Sequence, residues 1–332
     1  MDNNVLIFRS DRIGDLIVTC PVLFTIKKNL KNCNISIITS DKNYDYAKKL
    51  NIFDEVFMFP KKNLLNKIRF MYNLSKKKFD YIFIFDGKDR SLISSLFIKS
   101  NYKVALFPIS KSSFFWRIFN IKIYADSYKT TLMNIFQNSI NYCKINAKIS
   151  NYDFLTKKVD NKFSTEISTN NFIQVHLDEK WFSNLYINTY TNINPTYDQF
   201  VNFISKLSRK NNVLITTGIV NFDLLNKLKQ NFFIKKSEKI YFKKIINSEI
   251  YFVYMPSFED LESLLRKTKL FIGCHGATMH AANSFGIPKI DIIEENKKEF
   301  YRRFTSYFDK YTPIYRNDFN QVEKSIFANI IN

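Results

Sequence analysis

The chain has 332 residues, enough for two domains of ordinary size. Hydrophobic residues at 45% and charged residues at 24% are globular values, and 17% aromatic content excludes a disordered chain. Fifty basic against thirty acidic residues give a net charge of +20, which favours anionic partners such as nucleotide phosphates, nucleic acid or an acidic membrane surface. The wealth of Lys, Asn, Ile and Phe also fits drift under a biased base composition. The excess is nonetheless uneven: Pro60 to Thr130 holds fifteen Lys or Arg and four acids.

Elements alternate from the first residues. Val5 to Phe8, Ile35 to Ile38, Val56 to Phe59, Tyr81 to Phe85 and Val104 to Phe107 read as strands, the fourth continuously apolar as buried parallel strands are. Between them, Leu23, Ile26 and Leu30, then Leu64, Leu65, Ile68, Met71 and Tyr72, then Leu92, Leu96 and Phe97 recur at helical spacing. Pro21 either kinks the helix begun near Asp15 or starts a new one. The polar stretch from Ile149 to Asn171 breaks the pattern. A second series follows, with strands at Phe172 to His176, Val213 to Thr217, Tyr251 to Val253, Leu270 to Ile272 and Lys289 to Ile293. Its helices lie near Tyr197 to Ser208, Phe222 to Gln230, Phe258 to Lys267 and Thr278 to Phe285, and a last helical pattern runs from Phe319 to Ile331. The expected fold is α/β, two doubly wound domains divided as 1–150, a linker at 151–171, 172–318 and a terminal helix at 319–332. Ligands of such sheets bind beyond the carboxyl ends of the strands, so strand-end loops facing a shared cleft should carry the chemistry.

Several sites are excluded by composition. The six glycines spell neither GxGxxG nor a Walker loop, three histidines give no HExxH, and no two aspartates form a DxD. The four cysteines (Cys20, Cys33, Cys143, Cys274) form no CxxC pair and read as buried thiols. No metal or cofactor is expected. With no apolar run of membrane-spanning length and no signal-peptide plan at the N-terminus, a cytoplasmic protein is expected.

Two loops stand out. Arg9-Ser10-Asp11-Arg12-Ile13-Gly14-Asp15 follows the first strand, and Asp15 there either caps the next helix or serves as general base on a sugar hydroxyl. Gly273-Cys274-His275-Gly276-Ala277-Thr278-Met279-His280 ends a strand and opens a helix, whose first amides would favour a diphosphate. The two histidines there either orient the loop or are simply buried.

With these loops in view, the chain resembles glycosyltransferase family 9, the ADP-heptose:lipopolysaccharide heptosyltransferases, over most of its length. Arg9 to Leu23 looks like that family's opening loop and helix, with Asp15 on its catalytic base. Phe79 to Ser91 is similar to its strand ending in Asp-x-x-x-x-x-Ser, at Asp86 and Ser91. Asp178-Glu179-Lys180-Trp181 looks like the motif whose lysine faces donor phosphate, and Gly273 to Pro288 resembles the donor-binding stretch, His280 matching its histidine. Two features depart from the family: His275-Gly276-Ala277 stands where Asp-Thr-Gly is common, and a glycine-rich segment is reduced to Gly218.

The resemblance implies a GT-B type fold and inverting, metal-independent transfer of a sugar from a nucleotide-sugar donor, ADP-heptose by analogy, to an anionic lipid-linked glycan. Asp15 and Lys180 are then catalytic. Lys180, Gly273, His275, Gly276, Ala277, Thr278, Met279 and His280 bind donor, while Arg9, Ser10, Arg12, Gly14, Asp86 and Ser91 lie on the acceptor side. An acceptor of lipopolysaccharide-core type implies peripheral contact with the inner membrane surface, for which the basic N-terminal stretch and Phe114-Phe115-Trp116-Arg117 are candidates, unless those aromatics are core. Two other classes share parts of this reading. A nucleotide-sugar epimerase would use the same C-terminal site without an acceptor, and a nucleic-acid-binding protein would share the charge but lacks an RNP-like or helix-turn-helix pattern.

Overall fold

A computed structural model describes residues 3–61, 63–108, 121–126, 130–149 and 162–330. The chain divides into two compact units, Met1–Thr156 with Arg302–Tyr307, and Lys157–Tyr301 with Phe308–Asn332.

The N-terminal unit contains β1 (Asn3–Phe8), β2 (Cys33–Thr39), β3 (Glu55–Met58), β4 (Phe79–Ile84), β5 (Ser100–Pro108) and β6 (Ile121–Asp126). They form one sheet in the order β3-β2-β1-β4-β5-β6, every pair parallel. Val5, Leu6, Ile7 and Phe8 are wholly buried, as a central strand covered on both faces requires. The helix Ile13–Asn29 runs unbroken through Pro21, so the proline costs one backbone bond and starts no new element. Two features were not given by the sequence pattern. β6 was not anticipated. The apolar stripe on the helix Leu64–Ser75 is only partly covered: Leu74 is buried and Phe70 and Met71 pack against the core, while Leu64, Leu65, Ile68 and Tyr72 face solvent. Phe114 to Arg117 lie outside the described residues.

The C-terminal unit repeats the plan. Its strands are β7 (Phe172–Leu177), β8 (Val213–Thr217), β9 (Ile234–Lys235), β10 (Ile240–Ile245), β11 (Ser248–Val253), β12 (Thr268–Cys274), β13 (Lys289–Ile293) and β14 (Tyr311–Tyr315). The sheet order is β14-β13-β12-β7-β8-β11-β10-β9. With β9 and β10 set aside, the six parallel strands follow the connectivity of the first sheet, the order of a dinucleotide-binding fold. β9 and β10 are an antiparallel addition at one edge, joined to β11 by the turn at Ile246-Asn247. The core of this unit is aromatic: Trp181, Phe200, Phe203 and Phe319 are buried against one another, and Val322 and Ile326 place the helix Phe319–Ile330 on the same core. Within the stretch read as a linker, Lys162–Glu166 is helical and Ile167 is buried beside Phe172 and Leu214. All four cysteines are buried. Among the described residues no helix is long and apolar enough to cross a membrane.

Candidate active sites at two switch points

In an open parallel sheet, the loops leaving two neighbouring strands whose connections run to opposite sides enclose a crevice at their carboxyl ends. The N-terminal unit has this arrangement at β1 and β4, and the C-terminal unit at β7 and β12.

Leaving β1, Arg9 turns inward and is almost completely buried. Its Nε donates to the Asp15 carbonyl at 2.9 Å and a terminal nitrogen donates to the Phe85 carbonyl, tying the first loop to the end of β4. The same guanidinium lies 3.3 Å from the Asp11 carboxylate and 3.7 Å from that of Asp15. Asp15 accepts from the Arg12 amide at 3.3 Å, yet its side chain remains 43% exposed. Capping and availability to a substrate therefore coexist at this residue. Gly14, in the first turn of the same helix, is partly exposed.

Asp86 is differently placed. Its carboxylate accepts from Ser10 Oγ at 2.6 Å, Ser91 Oγ at 2.8 Å and the amides of Ser10 and Lys88, both at 3.2 Å. Four donors occupy it, and Ser91 is buried, so Asp86 and Ser91 hold the two loops together.

Three residues absent from the sequence-derived site join this cluster. Lys88 donates to the Ser10 carbonyl, and an Arg90 nitrogen donates to Ser10 Oγ at 2.8 Å. Asp11 is the third. One of its oxygens is buried with no hydrogen-bond partner, and burial, reinforced by the charges of Asp15 and Asp86, raises its pKa to about 6 against the pull of Arg9. Its signal in the sequence was a second carboxylate four residues before Asp15 in a strand-end loop.

At the end of β7, Asp178 caps a short turn, Glu179–Trp181, that is pinned by a fully buried Trp181 whose Nε1 donates to the His176 carbonyl at 2.9 Å. Lys180 Nζ donates to the Asp178 carboxylate at 2.6 Å, and Asp178 is 2% exposed. Burial opposes the Lys180 charge, but Asp178, and then Glu179, outweigh it and hold the ammonium above its usual pKa. His176, beneath this loop, is pushed down to about 4 by burial despite Asp178, and so is neutral.

Two glycines are explained by close approach. A Cβ on Gly276 would stand 2.7 Å from Lys180 Nζ, so the bare backbone lets the ammonium lie against the start of the helix Ala277–Ser284. A Cβ on Gly218 would stand 2.8 Å from Glu179 Oε2, which gives the one glycine after β8 a steric reason. Gly273 sits beside His176 in the β7–β12 register.

The helix start is narrower than expected. The Met279 and His280 amides already donate to the Gly276 carbonyl, at 3.0 and 3.3 Å, and Thr278, Met279 and His280 are buried. That leaves the amides of Gly276, Ala277 and Thr278 at the start of the helix, where an anion would be favoured. His275 Nδ1 lies 2.7 Å from the carboxylate of Asp291, which is wholly buried and also accepts from Tyr311 at 3.0 Å. His280 packs edge-on to His275, ring centroids 5.1 Å apart, and burial drives its pKa well below the usual value. Asp291 was overlooked, although a lone carboxylate inside the apolar strand Lys289-Ile290-Asp291-Ile292-Ile293 was its signal.

No protein-family model and no curated protein matches the sequence. The fold matches solved structures over nearly the whole chain. It is similar to a glycosyl transferase family 9 protein from Veillonella parvula, with a TM-score of 0.68 and 15% identity over 98% of this chain and 89% of that one. It is similar to E. coli ADP-heptose lps heptosyltransferase II, with a TM-score of 0.65 and 9% identity over 99% and 98% of the two chains. A UDP-GlcNAc 2-epimerase from Methanocaldococcus jannaschii shares the fold at a TM-score of 0.55 and 12% identity, over 100% of this chain and 92% of that one. The resemblance read from four motifs is thus a resemblance of fold, to GT-B glycosyltransferases and epimerases with two parallel-sheet domains.

Proposed function

We propose that this protein is an inverting glycosyltransferase that uses a nucleotide-sugar donor and needs no metal. The observation that supports it best is the division of chemistry between the two switch points. One presents an exposed carboxylate in a first helical turn fixed by Arg9, and the other presents a lysine held by a buried carboxylate against a helix start. In this reading the C-terminal unit binds the nucleotide sugar, with Lys180, the amides of Gly276 to Thr278 and the His275 ring around the diphosphate. Positive charge fixed there before the reaction stabilises the diphosphate as the glycosidic bond breaks, without reorganisation and without a metal ion. The N-terminal unit binds the acceptor, and Asp15 takes the proton from its hydroxyl as the oxygen attacks the anomeric carbon and inverts it. By the family resemblance the donor is ADP-heptose and the acceptor an anionic lipid-linked glycan of lipopolysaccharide-core type, reached from the cytoplasmic side of the inner membrane.

The experiment is incubation with ADP-heptose or UDP-sugars, with and without lipid-linked acceptor, in the presence of EDTA. Nucleotide diphosphate released only when acceptor is present supports the transferase. Sugar isomerisation without acceptor would replace it with the epimerase reading, which the 2-epimerase fold supports. Strict dependence on added Mg²⁺ or Mn²⁺ would defeat the metal-free scheme.

A further inference from the structure

We propose that the groove between the helices Leu64–Ser75 and Asp89–Leu96 holds one alkyl chain of an anionic amphiphile, with its head group at Arg90. The first observation is an apolar face left exposed to solvent. Ile68 is 56% exposed, Tyr72 61%, and Phe97, just beyond the second helix, 65%. Contiguous exposed apolar surface of this kind marks a binding site more often than an accident of packing.

The second observation is shape. These side chains, with Phe59 and Met71, line a concavity of about 570 Å³. That volume is typical of sites for small molecules and calls for a ligand that enters the protein, where a bilayer surface would meet a protruding patch.

The third observation is charge. Among the described residues no acid lines the concavity, and Lys61, Lys67 and Arg90 do. Lys61 is already paired with Asp41 at 2.5 Å, which leaves Lys67 and Arg90 to face an anionic group.

Arg90 also sets the direction in which the ligand lies. Its guanidinium covers the Phe59 ring at 5.3 Å from the centroid, at the wall of the groove, while a terminal nitrogen donates to Ser10 Oγ in the loop that carries Asp11 and Asp15. One residue thus joins the apolar groove to the carboxylates of the N-terminal switch point. A chain in the groove with its phosphate or carboxylate at Arg90 would extend its polar portion toward Asp15. Calling this ligand the acceptor rests on the transferase reading, whereas the groove's preference for an alkyl chain does not.

The test measures binding of monomeric alkyl phosphates to the full chain by titration calorimetry below their micellar concentrations. Affinity is expected to rise about fourfold per added methylene from hexyl to dodecyl phosphate. Dodecyl maltoside, uncharged, is expected to bind more weakly than dodecyl phosphate and without salt dependence. Ile68→Glu and Phe97→Glu change exposed side chains, so both variants should fold, as thermal unfolding would verify. Each should weaken dodecyl phosphate at least about tenfold by placing a charge against the chain.

Affinity independent of chain length, or unaltered in both variants, would overturn the proposal. So would a face that takes up only vesicles, or only a second copy of the protein as a concentration-dependent dimer lost in the same variants. Binding of ADP and UDP, measured in parallel, separates the two claims. Dodecyl phosphate bound when neither ADP nor UDP binds would leave the groove standing and remove the nucleotide-sugar reading, and a nucleoside diphosphate bound without dodecyl phosphate would do the reverse.

Discussion

The two units use the same order of six parallel strands and have arrived at different electrostatic solutions where their sheets open. In the N-terminal unit the carboxylates are unevenly satisfied: Asp86 is fully occupied, Asp15 caps a helix yet stays open, and Asp11 keeps a buried oxygen unmatched. In the C-terminal unit the cation is fixed, Lys180 on the buried Asp178, while Asp291 meets His275 and Tyr311 and keeps one buried oxygen unmatched. A carboxylate that must accept a proton gains from incomplete pairing, whereas a cation that must steady a leaving group gains from being fixed. The contrast is therefore what a division between proton acceptor and anion holder would require.

The largest expected effect tests the open side. Asp15→Asn should lower turnover by roughly 10² to 10⁴, the range for loss of a general base, with ADP affinity nearly unchanged. Steady-state kinetics with turnover close to wild type would remove Asp15 from the mechanism. On the paired side, Lys180→Ala strands Asp178 as a buried, unpaired charge. That should cost about 3–5 kcal/mol of stability in denaturant unfolding, and kcat should fall more than the donor KM rises. Replacing both partners, Asp178→Asn with Lys180→Met, should return much of the stability and none of the turnover. A double variant as unstable as the single one would show that the pair is not the unit of stability.

Acid should divide the units. Asp11 has a folded pKa of about 6 against 3.8 unperturbed, so the folded state holds its proton longer, and its contribution to stability falls as pH rises from 4 to 6. Asp11→Asn should accordingly match wild type near pH 4 and gain up to ~3 kcal/mol at pH 7.5. His176 has the opposite sign. Its pKa is about 4 against 6.5, so it favours the folded state above that window and loses this as pH falls from 6.5 to 4. His176→Gln should therefore be less sensitive to acid than wild type. Urea titrations at pH 4.5 and 7.5 on the two variants check both signs, and parallel pH responses would erase the contrast.

The smallest effect is the most selective. Gly276→Ala puts a methyl where Lys180 Nζ lies, and the flexible end of that side chain can yield. Stability should change by under ~1 kcal/mol while turnover drops several-fold, since a displacement of one ångström is enough to weaken preorganised catalysis. Equal losses in melting temperature and activity would mean that the glycine serves the fold alone.

Much of this was legible from residues in order. Buried parallel strands are continuous apolar runs, so β1, β4, β7 and β12, and with them the loops of Asp15 and Gly276, followed from local pattern, whereas Lys180 was singled out only by the family resemblance. Strands toward the sheet margins did not. β10, second from one edge, carries Lys243 and Lys244 and is half-exposed, and β14, at the other edge, contains Pro313, so neither reads as a strand until a neighbour supplies its hydrogen bonds. For the helix Leu64–Ser75 the limit is different, because periodicity reports that a helix has an apolar face and is silent on whether anything covers it.

The pairings that define the sites belong to the same class. Asp291 stands opposite Gly273 across β12 and β13, and this register brings its carboxylate to His275, sixteen residues away in the chain. Asp86 reaches Ser10 across β1 and β4 from seventy-six residues away. The sequence by itself determined which residues could carry charge at the strand ends. Only the tertiary structure decided which charges were matched and which were left over, because strand register sets which distant side chains share a face and burial sets what an unmatched one costs.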